Sequence, residues 1–142
     1  MSDRSNAAIV RNLIQKFFNG HDPSVANEYF VPDFKWHGGS VGNYQGAENY
    51  ASAMAGFFRG FPDAHAAEQE VIESGDTVTA RFVVEATHRG ELWGVQPTGR
   101  RIRWDAIMIY RIVDGKVSEQ WAAEDWAAIL HEMGLVPLPW LK

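Results

Sequence analysis

The segment from residue 77 to residue 121 constrains the fold most, because it alternates apolar and polar side chains over two long runs. Every second residue from 78 to 86 is apolar in the first run, and the second run repeats the pattern from 104 to 110. An alternation with a period of two predicts two strands that each bury one face. Asp114 and Gly115 predict a tight hairpin into a third strand, because they supply the positive φ angles that this turn requires.

Helical segments surround these strands. Apolar residues recur every three or four positions in residues 6–19, 47–58 and 124–133, and a further short helix begins at Asp22-Pro23. Shorter strands are expected at residues 34–37 and 65–73, with a glycine-rich loop at residues 37–46. We therefore expect one α+β domain over residues 1–142. In it, three N-terminal helices and a short C-terminal helix cover a strongly bent mixed sheet and enclose an apolar pocket.

Short motifs connect these elements in a fixed order. They are Phe61-Pro62-Asp63, Glu73-Ser74-Gly75-Asp76-Thr77-Val78, Thr87-His88-Arg89-Gly90, Pro97-Thr98-Gly99-Arg100, Arg111-Ile112-Val113-Asp114-Gly115-Lys116-Val117 and Glu119-Gln120-Trp121. In this order and spacing they resemble the SnoaL-like polyketide cyclases of the NTF2-like superfamily, and the resemblance covers nearly the whole chain. It implies a cone-shaped fold whose pocket holds the ligand. It also implies cofactor-free acid/base chemistry in secondary metabolism, on a hydrophobic, carbonyl-rich small molecule.

Charge and composition narrow the partners. The formal net charge is −5 with no long run of one sign, which argues against nucleic acid or an anionic membrane as the main partner. The chain has no cysteine, so it has no disulfide framework, thiolate nucleophile or thiolate metal site. No apolar run is long enough to span a membrane and no signal peptide is visible, so we expect a cytoplasmic protein. Because phosphate-binding loops and metal-binding motifs are missing, we expect no cofactor and no metal.

Two histidines are candidate acid/base groups. His88 continues the apolar parity of the first long strand, so its ring is expected to point into the pocket, where it could exchange a proton near neutral pH. Alternatively, it is a structural histidine that is hydrogen-bonded to a loop carbonyl. His37 begins the glycine-rich loop, and strand parity leaves open whether His37 or Trp36 faces inward. The resemblance adds that family members often have a cavity histidine near His37.

Two carboxylates open the predicted C-terminal helix. Glu124 and Asp125 lie close to where a cavity acid could stand. Acids in the first turn of a helix also occur because they cap the helix and complement its dipole, so both interpretations stay open. Asp125, together with His88 and His37, makes up the predicted catalytic set.

The resemblance also shows a departure from the family. Its members that close anthracycline rings carry an aspartate directly after the position of Trp121, where it is the general acid/base of an intramolecular aldol condensation. This chain has Ala122 at that position. The polar inward residues of the preceding strand are replaced here by Ala106 and Met108. Asp125 could therefore replace the missing acid if its side chain reaches inward.

The two faces of the sheet have different expected roles. Six Trp and eight Phe are many for 142 residues, and large rings often line pockets for flat or apolar ligands. The predicted substrate-binding residues are Trp36, Phe57, Phe61, Trp104, Met108, Tyr110 and Trp121. The outer face carries a mixed apolar and charged set, Arg81, Val83, Glu85, Arg103, Ile107 and Ile109, which fits a homodimer interface as in many relatives.

Three functions are consistent with these residues. The first is cyclisation, or an aldol- or isomerisation-type reaction, without a cofactor. The second is a cofactor-free hydroxylase, dehydratase or epoxide-opening reaction on the same fold, which the alanine at position 122 favours. The third is a small-molecule-binding module without chemistry.

Overall fold

The computed structural model describes residues 5–141. Its helices are α1 (Asn6–Leu13), α2 (Ala26–Tyr29), α3 (Ala47–Gly60) and α4 (Trp126–Glu132), with 3-10 turns at Pro23–Val25 and Gly39–Val41. Its strands are β1 (Phe30–His37), β2 (Asn43–Gln45), β3 (His65–Ser74), β4 (Thr77–Thr87), β5 (Arg101–Val113) and β6 (Lys116–Glu124). Within residues 5–141, no helix combines the length and the apolar character that a membrane crossing requires. The single domain expected over residues 1–142 stays a prediction, since residues 1–4 and 142 lie outside the described range.

The six strands form one mixed sheet in the order β2-β1-β6-β5-β4-β3. The strands β3 to β6 pair antiparallel in sequence order, whereas β1 pairs parallel with β6. The pairing of β4 with β5 runs unbroken from Thr77 opposite Arg111 to Thr87 opposite Arg101. Asp114 has a φ of 50° and Gly115 a φ of 81°, which is the hairpin geometry that this dipeptide favours. The predicted α+β fold with a mixed sheet is confirmed.

The core lies between the inner face of this sheet and the helices. The inward residues of β4, from Val78 to Ala86, are at most 2% exposed. Facing them, Phe17, Phe30, Phe34 and Tyr50 pack as a ring cluster, with the Phe30 and Phe34 ring centroids 4.3 Å apart. Burial of such large rings contributes about 1.5–3 kcal/mol per side chain to folding. The alternation in the sequence therefore decides which face of the sheet receives the helices.

The first helix changes its winding where it reaches the core. Ser5 caps α1, because its hydroxyl oxygen accepts a hydrogen bond from the Ala8 N–H at 3.1 Å. The α-helix ends at Leu13 and continues as a π-helical turn, Ile14–Phe18. This wider turn directs Ile14, Phe17 and Phe18 toward the interior, and such turns often occur at functional sites. The sequence predicted one regular helix over residues 6–19, because side-chain spacing does not resolve a single wider turn.

Strand β6 corrects the predicted boundary after Trp121. We expected a helix from Glu124, but β6 continues to Glu124 and pairs it with Ala106, while α4 begins at Trp126. The partner strand β5 is long enough to extend the ladder, and this tertiary pairing outweighs the local helical spacing. Strand β2 is a second difference, since it lies inside the predicted loop at residues 37–46 and pairs with the end of β1.

The Phe61-Pro62-Asp63 motif connects α3 to the far end of the sheet. The Asp63 carboxylate accepts hydrogen bonds from the Thr87 N–H at 2.6 Å and the Thr87 hydroxyl at 2.8 Å, and Arg101 donates a third at 3.0 Å. Burial alone would raise the pKa of the Asp63 carboxyl, but these Thr87 hydrogen bonds and the Arg101 charge lower the pKa overall. The motif therefore joins the ends of β4 and β5 to the loop that follows α3.

We expect Asp63→Ala to lower the free energy of unfolding by about 1–2 kcal/mol, because the Thr87 amide loses its partner. Because the pKa of Asp63 is lowered, its carboxylate contributes to the free energy of unfolding at neutral pH. This contribution is lost as the pH falls below the ordinary carboxyl range. Urea unfolding at pH 7 and at pH 3 measures both effects. A difference between the two proteins that is equally large at both pH values would contradict the ionic part of this account.

Candidate active site

A cavity of about 80 Å³ lies between the inner sheet face and the helices. Its walls come from the π-helical turn, α3, β1, β5, β6, the loop before β5 and the start of α4. The aromatic lining residues are Phe17, Phe18, Trp36, Tyr44, Tyr50, Phe57, Trp93, Tyr110 and Trp126. Walls of this kind select flat or apolar molecules, and the few polar groups among them determine how such a molecule is oriented.

Glu124 is the one carboxylic acid among the described residues that line the cavity. Its Oε1 atom accepts a hydrogen bond from Trp104 Nε1–H at 3.1 Å, and Oε2 has no hydrogen-bond partner among residues 5–141. Burial raises the pKa of the Glu124 carboxyl above its ordinary value, and the Trp104 hydrogen bond opposes this only in part. One carboxyl oxygen is thus held in place, while the other is available to a ligand.

The cavity wall carries other polar groups besides Glu124. Burial raises the pKa of the Tyr110 hydroxyl, and the Glu124 charge raises it further. Burial likewise raises the pKa of Tyr50, with added effects of Tyr110 and Glu124. Gln120 stands directly opposite Tyr110 in the ladder, is 4% exposed, and has an Oε1 atom without a partner among residues 5–141. The cavity wall therefore combines the acid with two neutral hydroxyls, which can donate hydrogen bonds to ligand oxygens, and an amide oxygen, which can accept one.

Glu124 should also leave a signature in the pH dependence of stability. With a raised pKa, the native carboxyl keeps a proton in a pH range where the unfolded carboxyl has lost it. The native state then binds more protons, so the free energy of unfolding falls as pH rises from the ordinary value of 4.5. Relative to Glu124→Gln, the wild-type protein is expected to lose stability between about pH 4.5 and the raised pKa. Urea midpoints of both proteins from pH 4 to pH 8 test this, and parallel curves would contradict it.

His88 is fully buried and lies outside the cavity wall. Its Nδ1 atom accepts a hydrogen bond from the Thr98 N–H at 3.2 Å, and the Thr98 hydroxyl is 3.1 Å from the same atom. Phe61 packs beside it, and Phe61 in turn packs against Trp104 and the cavity-lining Phe57. The expectation that the ring points into the pocket is thereby corrected. The geometry favours the structural alternative, with a loop amide rather than a carbonyl as the partner.

His37 lies on the outer face of the sheet. Its Nε2 atom is 2.7 Å from Glu119 Oε2, and its ring stacks on Trp121 with centroids 5.3 Å apart. Trp36, its neighbour in β1, faces the cavity instead. Strand alternation requires this choice once β1 pairs with β6, because adjacent residues point to opposite faces. His37 therefore does not share a site with Glu124.

Asp125 caps helix α4. Its carboxylate accepts a hydrogen bond from the Ala128 N–H at 3.1 Å, and the residue is exposed in a shallow surface cleft. The three predicted catalytic residues are therefore not brought together, because His88 is behind the aromatic wall, His37 is on the outer face and Asp125 is at the surface. The carboxyl that enters the cavity belongs to Glu124, the residue before Asp125.

The predicted substrate-binding residues divide into two groups. Trp36, Phe57, Met108 and Tyr110 line the cavity as expected. Phe61 and Trp104 are buried behind the wall, and Trp121 lies on the outer face, where the Arg111 guanidinium is 5.3 Å from its ring centroid. The structure adds lining residues that the sequence patterns did not single out, among them Ile14, Phe18, Tyr50 and Gln120.

One sequence signal could have found Glu124. Gln120, Ala122 and Glu124 alternate with Trp121 and Ala123, so a strand continued by three residues places all three on the inner face. Ala122 is the position of the aspartate that the family resemblance implied, and Glu124 is the next residue on the same face. A carboxyl on a longer side chain therefore stands one strand repeat further along. Among residues 5–141, no three His, Asp or Glu side chains are grouped to hold a metal ion.

Known proteins are similar to this chain in sequence and in fold. The chain matches the family described as SnoaL-like polyketide cyclase over residues 8–133. It is 31% identical over 137 residues to the aklanonic acid methyl ester cyclase DnrD of Streptomyces peucetius, covering 93% of this chain and 90% of the relative. It is also similar to the structure of AclR, a candidate hydroxylase from Streptomyces galilaeus, with 29% identity and a TM-score of 0.82 over 94% of this chain and 87% of that chain. The structure of IdmH, a candidate polyketide cyclase from Streptomyces antibioticus, is 28% identical with a TM-score of 0.80. That match covers 92% of this chain and 99% of the IdmH chain.

An α+β sheet that encloses an aromatic cavity with a half-buried acid in its wall is suited to an enzyme that acts on a small apolar molecule. The chain belongs to the SnoaL-like polyketide cyclase family. The resemblance that the sequence motifs indicated is thereby confirmed, and so is the enzymatic character that it implied.

Proposed function

We infer that the protein closes a ring in a hydrophobic, carbonyl-rich polyketide by an intramolecular aldol reaction in which Glu124 is the general acid and base. The observation that supports this role is a single carboxyl in an aromatic cavity, with one oxygen held by Trp104 and with its pKa raised by burial. A carboxyl whose pKa is moved toward neutral pH can both accept and return a proton, which is the requirement for this reaction.

The proposed step balances without a cofactor. The Glu124 carboxylate removes a proton from a carbon next to a carbonyl group, and the resulting enolate carbon attacks a ketone carbon of the same molecule. One carbon–carbon bond forms, and Glu124 returns the proton to the new alkoxide. The product is an isomer of the substrate. The cavity contributes by holding the two reacting carbons together, since orientation can lower the barrier by as much as about 7–11 kcal/mol.

The neighbouring polar groups have distinct roles in this proposal. The hydroxyls of Tyr110 and Tyr50 stay protonated, because burial raises the pKa of each, so they donate hydrogen bonds to the enolate and alkoxide oxygens. The Gln120 Oε1 atom has no partner among residues 5–141 and can accept a hydrogen bond from a substrate hydroxyl. Donors in a cavity with few water molecules stabilise developing negative charge more strongly than the same donors in water.

Incubation with aklanonic acid methyl ester tests the reaction class. Ring closure gives a product of unchanged mass, detectable by liquid chromatography and mass spectrometry. A product heavier by one oxygen would support a second candidate, a cofactor-free hydroxylase, which the alanine at position 122 and the likeness to AclR favour. Binding without conversion would contradict both reactions and would support a binding module.

The protein is further proposed to form a homodimer through the outer sheet face. Ile72, Ile107 and Ile109 are 56%, 46% and 39% exposed there, and a second copy would cover them. Charges of both signs flank this apolar strip, with Arg81 3.6 Å from Glu70, so the face can pair with itself about a two-fold axis.

The cysteine-free sequence and the polyketide-cyclase relatives also favour a role in secondary metabolism in the reducing cytoplasm.

We expect Ile109→Glu to convert this dimer to a monomer, because it would place a carboxylate in the apolar strip. Sedimentation equilibrium measures the change in mass. Leu135→Glu is the matched control, since Leu135 is 46% exposed but lies after α4, away from the sheet face. A wild-type monomer at micromolar concentrations, or an Ile109→Glu dimer, would contradict the proposed interface.

A further inference from the structure

A second cleft adjoins the mouth of the cavity. Its volume is about 210 Å³, and it lies between α3 and the loop that follows β4. Tyr44, Ala53, Phe57 and Trp93 line both the cleft and the cavity. The two spaces therefore share part of their lining, and a ligand with one ring in the cavity can place a substituent in the cleft.

Arg59 is the one cation among the described residues that line this cleft. Its guanidinium lies along α3, 3.5 Å from the place where a side chain at Gly56 would begin, and Gly56 also lines the cleft. It makes no ion pair or side-chain hydrogen bond with any of residues 5–141, whereas Arg81, Arg101 and Arg103 are each paired with a carboxylate. All of its N–H donors are therefore available to a ligand.

The opposite wall of the cleft is fixed in place. The N–H groups of Arg89 and Gly90 donate hydrogen bonds to the Gly60 carbonyl oxygen at 3.0 and 3.2 Å, which attaches the loop to the end of α3. Glu91 also lines the cleft, but its carboxylate accepts a hydrogen bond from the Gly94 N–H and forms no ion pair with Arg59. The cleft is thus built before a ligand arrives, and Arg59 in it forms no ion pair with Glu91 or with any other of residues 5–141.

We propose that this cleft binds a free carboxylate group of the substrate through Arg59, while an aromatic ring of the substrate enters the cavity. This inference rests on the proposed function and specifies its substrate class as an aromatic polyketide acid. A guanidinium is suited to the role because its planar pair of N–H groups matches the two oxygens of a carboxylate. The relative DnrD is named for a methyl ester, in which the corresponding charge is absent.

A matched pair of probes tests the proposal. Anthraquinone-2-carboxylic acid and its methyl ester share a flat, carbonyl-rich body, and only the acid carries a charge at pH 7. Quenching of tryptophan fluorescence measures the dissociation constant of each probe. We expect the wild-type protein to bind the acid roughly fivefold more tightly than the ester, as for the stronger solvent-exposed ion pairs. The preference is expected to shrink in 1 M salt.

Variants separate the role of Arg59 from a general charge effect. Arg59→Met is expected to weaken binding of the acid probe to the affinity of the ester probe, without changing binding of the ester. Arg59→Lys is expected to keep part of the preference for the acid. Lys16→Met, which removes an exposed cation elsewhere, is expected to change neither. Failure of the wild-type protein to bind the acid, equal binding of both probes, or a preference that survives in Arg59→Met would overturn the proposal. Aklanonic acid methyl ester has no free carboxylate at the esterified position for Arg59 to bind, so its ring closure tests the proposed reaction alone. Failure of the Arg59 subsite is therefore distinguishable from failure of the proposed reaction.

Discussion

Replacing Glu124 by glutamine is expected to lower kcat for ring closure by a factor of about 10²–10⁴, the usual contribution of a positioned acid/base group. Glutamine keeps the size of the side chain and can still accept the Trp104 hydrogen bond, but it cannot take up a proton from carbon. Because the aromatic walls remain, KM is expected to change much less than kcat. Steady-state kinetics with aklanonic acid methyl ester measure both quantities.

Neighbouring variants make this result specific to Glu124. Glu124→Asp keeps the carboxyl but withdraws it by one methylene, so an intermediate rate is expected. Asp125→Asn is expected to leave kcat unchanged, because Asp125 is at the surface and caps α4. His88→Gln tests whether the buried His88 imidazole, which contacts Thr98 rather than the cavity, contributes to kcat. A kcat that survives in Glu124→Gln but falls in Asp125→Asn would show that the acid is misassigned.

Replacing Gly90 by alanine is expected to lower the free energy of unfolding by about 3 kcal/mol, at the upper end of the usual cost of overpacking. A methyl group there would stand 2.0 Å from the Arg59 carbonyl oxygen, which is backbone at the end of α3 and cannot swing aside. The loop would have to leave Gly60, and it carries Trp93, which lines the cavity. Ligand affinity is therefore expected to fall together with stability.

Gly56→Ala is the matched control for this stability measurement. The position is in the same helix, and a methyl group there would meet only the Arg59 side-chain nitrogen, at 3.5 Å. Alanine in a helix interior is favoured over glycine by about 0.5–1 kcal/mol, so this variant should be slightly more stable than the wild type. Urea unfolding of the three proteins gives the comparison. Equal stability of Gly90→Ala and the wild type would mean that the loop does not contact α3 as described.

Much of the fold could be predicted because the signals are local. Alternation in β4 and β5 comes from side chains that point to opposite faces of one strand, and the Asp114–Gly115 turn follows from backbone preference. The ends of the helices and strands were harder to predict from the sequence. The π-helical turn Ile14–Phe18 and the extension of β6 to Glu124 both depend on partners that are distant in the sequence.

The site was predicted only in its general character. Aromatic residues in excess indicated an apolar cavity, and four of the seven predicted binding residues line it. Parity could not assign His37, because a short strand has two faces and its pairing with β6 decides which one is inward. Nor could it assign His88, whose ring is on the inward parity but packs against Phe61, which lies between it and the cavity-lining Phe57.

Residue order alone was thus sufficient for the family, the mixed sheet and the apolar nature of its inner face, since these follow from patterns within short segments. The choice of Glu124 over Asp125 required the three-dimensional structure. Those two residues are adjacent, and their roles differ because the ladder with β5 continues through the first and stops before the second. A one-residue shift of that boundary places one carboxyl in the cavity wall and makes the other a helix cap.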